Sequence, residues 1–338
     1  ICADLLISFS KGPDQLIMKE GYTDMTRKYK PEGMLIHTPE NRLFLGSAAG
    51  LERAMATGAI LEESALMCDS GMNLHLDLGG IEGIIPREEA VWCRPGEQLK
   101  DIAVITRVGK PVCFKIMSVD TAGGKTVAHL SRREAQRECA MNYIADLIPG
   151  DIIQIKITHL ESFGAFADIG CGISSLLPVD SLSVSRISHP RDRLFCGGYA
   201  YAVVKTVDPD TGRLYLSQKE LLGTWEENAA LFAVGQTVPG IVRSIENVFF
   251  ELTPNLAGLA EPRIGSAEDE LNIGDTAAVY IKSIIPERMK VKLVLIDAHT
   301  LPQAPAPIKY FVDCEKTPHM DIWRYSPAES KKVVETVF

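Results

Sequence analysis

The 338-residue chain has no apolar run approaching the roughly 18 residues that cross a bilayer, and no basic stretch followed by an apolar one near its start. A cytoplasmic chain with no export signal and no membrane partner is therefore expected. Its eight cysteines include no C-x-x-C pair and mostly sit beside apolar neighbours, so buried reduced thiols are expected in place of zinc sites or disulfides. Neither a G-x-x-x-x-G-K-[ST] phosphate loop nor a G-x-S-x-G elbow occurs, and the carboxylates do not cluster as two-metal hydrolysis needs. No catalytic residue, metal or cofactor is assigned, and the chain reads as a non-enzyme. A cationic excess is missing too: 35 Lys and Arg face 44 Asp and Glu, for a formal net charge of −9. That argues against a generic electrostatic hold on duplex DNA, which rests on many phosphate-neutralising cations. Base stacking on single strands survives the constraint.

With 46% hydrophobic and 23% charged residues the chain has the composition of folded globular domains, and its length suits two or three of them. The first residue is Ile1, which reads as a fragment or an extended reading frame, and Met25, opening M-T-R-K-Y-K, is a candidate natural start.

Self-similarity is the most informative feature. After the turn Pro149-Gly150-Asp151, Ile153, Ile155 and Ile157 alternate with Gln154, Lys156 and Thr158, the pattern of a half-buried strand. A bend at Glu161-Ser162 leads to Phe163–Ile169, and Gly170 and Gly172 precede Ile173–Leu177. A polar loop, Ser181–Arg193, then gives way to Tyr199–Val207, and Asp208–Gly212 turns the chain into Arg213–Ser217. Five short strands in so few residues fit a small closed barrel. The order recurs over 234–297 and, in a worn form, over 58–133, with a run at Ile102–Arg107 interposed. The fold expected is mainly β: three tandem five-stranded OB barrels joined by short helices (Arg132–Ala145, Lys219–Phe232), with small α/β terminal extensions. The expected division is an N-terminal extension over 1–57, barrels over 58–133, 148–222 and 234–297, and a C-terminal piece over 298–338. Within the first extension a hairpin is expected around Pro39-Glu40-Asn41, and a helix over Gly46–Thr57 with Ser47 as N-cap and Gly58 past its end. The last piece reads as a Pro-rich linker, Leu301–Pro307, a hairpin, and a helix opened by the capping box Ser326-Pro327-Ala328-Glu329.

Strand parity makes a prediction about the middle copy. Ala165, Ala167 and Ile169 share one face, so Gly164, Phe166 and Asp168 share the other. With the small set inside, Phe166 points outward, Gly164 leaves room beside it for a flat ligand, and Phe163 joins it from the bend. Leu214 and Leu216 then face in while Arg213, Tyr215 and Ser217 face out; Ala200, Ala202 and Val204 face in while Tyr199 and Tyr201 face out. Lys156, Lys205, Arg186, Arg191 and Arg193 are candidate phosphate contacts. Taken alone, a strand phenylalanine is more often core, and what tips the reading is the company of Gly164, the opposite-parity alanines and Arg213.

The segment P-G-D-I-I-Q-I-K-I-T-H-L-E-S-F-G-A-F-A-D-I-G, with V-D-P-D-T-G-R-L-Y-L-S-Q-K-E downstream, resembles the S1 RNA-binding domain family over Ile148–Leu222. The third copy resembles it more loosely through V-P-G-I-V-R-S-I-E, and the first through L-D-L-G-G-I-E-G-I-I-P-R-E-E. The resemblance implies an RNA face at Phe163, Phe166, Asp208 and Arg213. Where many family members carry histidine after the third strand this chain has Pro178, which removes a stacking group. The first copy holds Met72 and His75 at the aromatic positions; the third keeps only Phe249, has Lys290 where Arg213 stands, and is acidic around Glu268-Asp269-Glu270. A lone His75 with Asp77 nearby lacks a third metal ligand. The resemblance also implies a setting: single-stranded messenger RNA bound at the small (30S) ribosomal subunit, or a related bacterial regulator of translation or RNA stability. An alternative is a protein-docking adaptor whose barrels bind the ribosome, RNA polymerase or a nuclease; an RNA-processing enzyme would have only the termini for a catalytic domain.

Overall fold

The computed structural model describes residues 28–94, 96–122, 124–208, 211–246, 248–261, 271–299 and 307–338. Met25, the turn residues Pro209 and Asp210, the acidic run Glu268–Glu270 and the linker residues 301–306 lie outside them. The described chain falls into two compact units: one runs to Asp146 and takes in Gly170–Gly172, the other holds Leu147–Ile169 and Ile173–Phe338.

Three closed five-stranded barrels are present, each with its strands in the order 1-2-3-5-4 around the wall. The first comprises β1 (Leu61–Cys68), β2 (Leu74–Asp77), β3 (Glu82–Ile85), β4 (Pro111–Ala122) and β5 (Lys125–Ser131). The middle one comprises β6 (Ile152–Glu161), β7 (Gly164–Asp168), β8 (Ser174–Pro178), β9 (Tyr199–Val207) and β10 (Leu214–Ser217). The third comprises β11 (Thr237–Ser244), β12 (Phe249–Thr253), β13 (Leu256–Glu261), β14 (Thr276–Ile285) and β15 (Lys290–His299). In all three, the third and fifth strands pair in parallel and the other contacts are antiparallel, which closes the wall and leaves no free edge. Period-two alternation fills the interiors. Ile153, Ile155, Ile157, Ala165, Ala167 and Leu177 are buried in the middle barrel, Phe114 in the first and Phe250 in the third.

The helix Ala48–Thr57 forms with Ser47 accepting from the Gly50 N–H and Gly58 in the left-handed region at φ 63°. Three expectations need correction. The hairpin around Pro39 is instead a helix, Pro39–Phe44: Thr38 caps it by accepting from the Asn41 N–H, and Pro39 supplies a preset φ at the first turn. The run Ile102–Arg107, expected as one of the recurring segments of the first copy, lies on a short helix, Asp101–Ile105, and is not part of the barrel wall. The capping box at Ser326 opens no helix; Ser326 Oγ accepts from the Val334 N–H, and β16 (Ile322–Arg324) pairs with β17 (Glu335–Val337) in a hairpin. Burial decides the last case. Trp323 and Tyr325 enter the core of the third barrel, and that packing overrides local helix preference.

In the first unit a carboxylate pins the segment before the barrel. Glu62 on β1 is fully buried, and its Oε2 accepts from the N–H groups of Gly33, Leu35 and Ile36 at 3.0, 2.8 and 3.0 Å. Burial pushes its carboxyl up to about 7; the Glu32 carboxylate adds to this and the backbone donors oppose it. A raised folded-state value stabilises most below the unfolded value, and that contribution is lost as the pH rises through about 7. Unfolding of the first unit is therefore expected to become easier as the pH rises from about 4.5 to about 7. Glu62→Gln should flatten that profile in urea titrations across the same range.

Candidate nucleic-acid interface

The middle barrel's outward face is built by strand register. Across its wall, His159 on β6 stands opposite Phe166 on β7, Phe166 opposite Leu176 on β8, Leu176 beside Tyr215 on β10, and Tyr215 opposite Thr206 on β9. Strict alternation from Ile157 would place His159 in the core. A bulge between Ile157 and His159 turns it outward, and Thr158 in that bulge donates to the Phe166 carbonyl at 3.1 Å. The His159 imidazole stacks on Phe166 with ring centroids 6.4 Å apart, and Phe163 meets Phe166 edge-on at 6.0 Å. Phe163 is 54% exposed, Tyr215 is exposed and Phe166 half-buried, while the alanines of opposite parity are fully buried.

A second aromatic group flanks the row. Lys156 stands opposite Tyr199, with its Nζ 5.5 Å from the ring centroid, and Tyr199 is exposed. Just before β9, Phe195 is 68% exposed and its ring lies against Gly198, where a Cβ would meet the ring at 2.9 Å. Ile157 N–H donates to the Gly198 carbonyl, which seats this turn on β6 beside the bulge. His159, Phe195 and Leu176 were not among the residues the sequence singled out; parity misplaces the first, and nothing local marks the second.

Other expected residues have different placements. Asp208 caps the turn that delivers Arg213: its Oδ1 accepts from the Thr211 N–H, and its own N–H donates to the Arg213 carbonyl at 2.8 Å. Arg213 is exposed, two residues before Tyr215. Arg186 and Arg191 are exposed on the loop after β8. Arg193 is not on a surface track: it is buried, 2.6 Å from Glu251. Lys205 is half-buried and donates to Ser181 Oγ at 3.2 Å. Tyr201 packs edge-on against Tyr310, and its N–H donates to the Tyr310 hydroxyl. Ser217 is buried and bonds Ser181 and Glu220, because the turn at Lys219–Leu222 covers the end of β10.

Gly164 leaves no pocket for a ligand. A Cβ there would come within 2.6 Å of the Leu177 carbonyl oxygen and 3.0 Å of Pro178 Cα, so glycine is required by the close approach of β7 to β8. Gly164→Ala is expected to destabilise the middle barrel by about 1–3 kcal/mol through overpacking against backbone, read as a lower urea midpoint.

The same five-residue row exists in the other barrels. In the first it reads Met67, His75, Ile84, His129 and Ser118; in the third, Ser244, Phe249, Leu259, Lys292 and Ser283. Each has the first-strand bulge at the matching place, between Ala65 and Met67 and between Val242 and Ser244. The chemistry differs. In the first barrel His75 lies between Asp69 (3.2 Å) and Glu82 (3.1 Å), and Lys125 reaches Glu82 at 2.6 Å. Backbone and side-chain bonds from Asn73, with help from His75, hold Asp69 down to about 2. Among the described residues no group of three His, Cys, Asp or Glu could hold a metal ion, and no helix is long and apolar enough to cross a membrane.

Comparison with known proteins agrees with this geometry. Residues 146–219 match the family model of the S1 RNA binding domain. The chain is similar to small ribosomal subunit protein bS1 of Chlamydia muridarum, 28% identical over 225 residues, covering 63% of this chain and 38% of that one. It is likewise similar to bS1 of Mycobacterium tuberculosis, 30% identical over 280 residues, covering 77% of this chain and 56% of that one. With bS1 of Leuconostoc lactis it shares 25% identity over 233 residues, 65% of this chain and 52% of that one. The chain thus spans about two fifths to just over half the length of these relatives.

Proposed function

We propose that this chain, whose central barrel is an S1 domain, is a binding protein for single-stranded RNA. Bases stack on Phe163 and Phe166, with Tyr215 extending the platform, and Arg213 and Lys156 meet the sugar-phosphate chain. The observation that carries the reading is the outward row His159, Phe166, Leu176 and Tyr215 on four neighbouring strands, three rings and one leucine, with Ala165 and Ala167 buried on the opposite parity of β7. Stacking accepts any base, and it needs few charges, which suits a chain of net charge −9. The similarity to bS1 supports a setting in translation at the small ribosomal subunit, with messenger RNA as the strand held. In the first barrel the matching row is bracketed by carboxylates, which repel phosphate; that barrel serves as a docking surface for protein and not for RNA.

The test is binding of a short unstructured RNA at several salt concentrations. With two or three phosphate contacts, log K should fall against log salt with a slope of about −1.4 to −2.1, at about 0.7 per contact on a single strand. A failure of the full chain to bind RNA at modest salt, with protein partners retained after nuclease treatment, would leave the adaptor reading in its place.

A further inference from the structure

We infer that the middle barrel carries a second base-stacking station, formed by Phe195 and Tyr199 at the turn into β9, and that His159 leads the RNA strand to it from Phe166. This rests on the reading of that barrel as a stacking site, and extends it to the β6–β9 side of the wall.

Three observations carry it. The first is a ring that is held in place without being buried. Phe195 is 68% exposed, yet its seat is built: the ring lies against Gly198, where a Cβ would meet Cζ at 2.9 Å and Cε2 at 3.0 Å, and Gly197 before it has φ 86°. Both glycines are therefore needed to lay the ring down on this turn. A phenylalanine that served the core would be enclosed. This one rests on backbone and offers the rest of its surface to solvent, which is the form of a platform.

The second is where the turn is fastened. Gly197 N–H donates to the Ile157 carbonyl at 2.7 Å, and Ile157 N–H donates to the Gly198 carbonyl at 2.8 Å. Ile157 is the last regular residue before the bulge that turns His159 outward, and His159 stacks on Phe166. The turn thus sets Phe195 on the wall beside His159. From Phe163 through Phe166, His159 and Phe195 to Tyr199, rings follow one another across β7, β6 and the start of β9. Neighbouring strands stand about 4.8 Å apart, so an extended run of a few nucleotides reaches from the first station to the second.

The third is charge. Lys156 stands opposite Tyr199 with its Nζ 5.5 Å from the ring centroid, and Arg191 is exposed four residues before Phe195. The Glu161 carboxylate is engaged by His159 Nε2 at 2.7 Å, which orients the imidazole between the two stations. The ligand that fits is an unpaired run of nucleotides, with bases on both pairs of rings and phosphates toward Lys156 and Arg191. A trinucleotide fills the Phe163–Phe166 station alone, and a longer strand occupies both.

The test uses the full chain with fluorescent oligouridylates of about 3 and about 10 nucleotides, below and within the site size of one such barrel. The double variant Phe195→Ala, Tyr199→Ala should lose about tenfold or more in affinity for the longer RNA and bind the shorter one as wild type does. Phe195→Trp, which keeps a flat ring, should bind both like wild type. Phe166→Ala should weaken both. If the double variant binds the longer RNA like wild type while Phe166→Ala weakens it, or if it loses equally for both lengths, the separate second station is overturned and the first stands. If Phe166→Ala leaves both affinities unchanged, the underlying reading fails as well. Crosslinking of photoreactive oligomers to wild-type protein gives a check independent of variant folding. Adducts at Phe195 or Tyr199 with the 10-mer and not with the 3-mer support the station, and 10-mer adducts that spare both residues overturn it.

Discussion

Phe166→Ala is expected to weaken binding of a short unstructured RNA by about ten- to a hundredfold, at about 1–3 kcal/mol for each stacked base. The loss should exceed that of Phe163→Ala. Phe166 is the centre of the row: His159 stacks on one side of it at 6.4 Å and Phe163 meets it edge-on at 6.0 Å, so its removal leaves two flanking rings without a brace. Stability should change far less, because the hydrophobic interior lies on the other parity of β7, in Ala165 and Ala167. Fluorescence anisotropy titrations alongside urea unfolding separate the two quantities. A large fall in the unfolding midpoint with unchanged affinity would place this ring among structural residues.

The second large effect is on stability. Glu251 is buried and accepts from two guanidinium groups, Arg193 and Arg243, themselves almost wholly enclosed. Burial lowers the Arg193 value from its usual range, and the Glu251 carboxylate opposes that shift. Glu251→Ala leaves two buried cations whose remaining carboxylate partner among the described residues is Asp192, and the expected cost is about 3–5 kcal/mol. Trp225 and Trp323 sit in the core of the third barrel, so their fluorescence should register the change during urea unfolding. Removing Arg193 together with Glu251 should cost less than the sum of the single changes, since the pair is a unit. Additive losses would show that the ion pair does not hold this part of the molecule together.

Most of the fold was legible because a barrel strand advertises itself through alternation. Ile153, Ile155 and Ile157 cannot all be buried on one side of anything but an extended chain, and the copies repeat that pattern. The outward position of Phe166 and Tyr215 followed from the same parity, and that of Phe163 from the bend before β7. Illegible parts have physical reasons. A bulge inserts one residue and reverses parity beyond it, which hid His159 until the pairing with Phe166 was visible. Arg193 and Arg186 lie in one polar loop and look alike in sequence, yet only packing against Glu251 makes the first a buried ion-pair partner. The termini are short and lack sustained periodicity. Thr38-Pro39-Glu40 reads equally as a turn or as a helix start, and the fate of Ser326 was decided by Trp323 and Tyr325 finding a core.

The central claim is that the phenyl rings on the middle barrel's outer wall touch nucleobases. Its most direct test is a nuclear magnetic resonance titration of full-length protein, labelled only in its phenylalanine rings, with a short oligouridylate. The account predicts large shifts for the Phe163 and Phe166 ring protons and contacts between those rings and uracil protons. Saturated RNA binding with both rings' signals unmoved would contradict it.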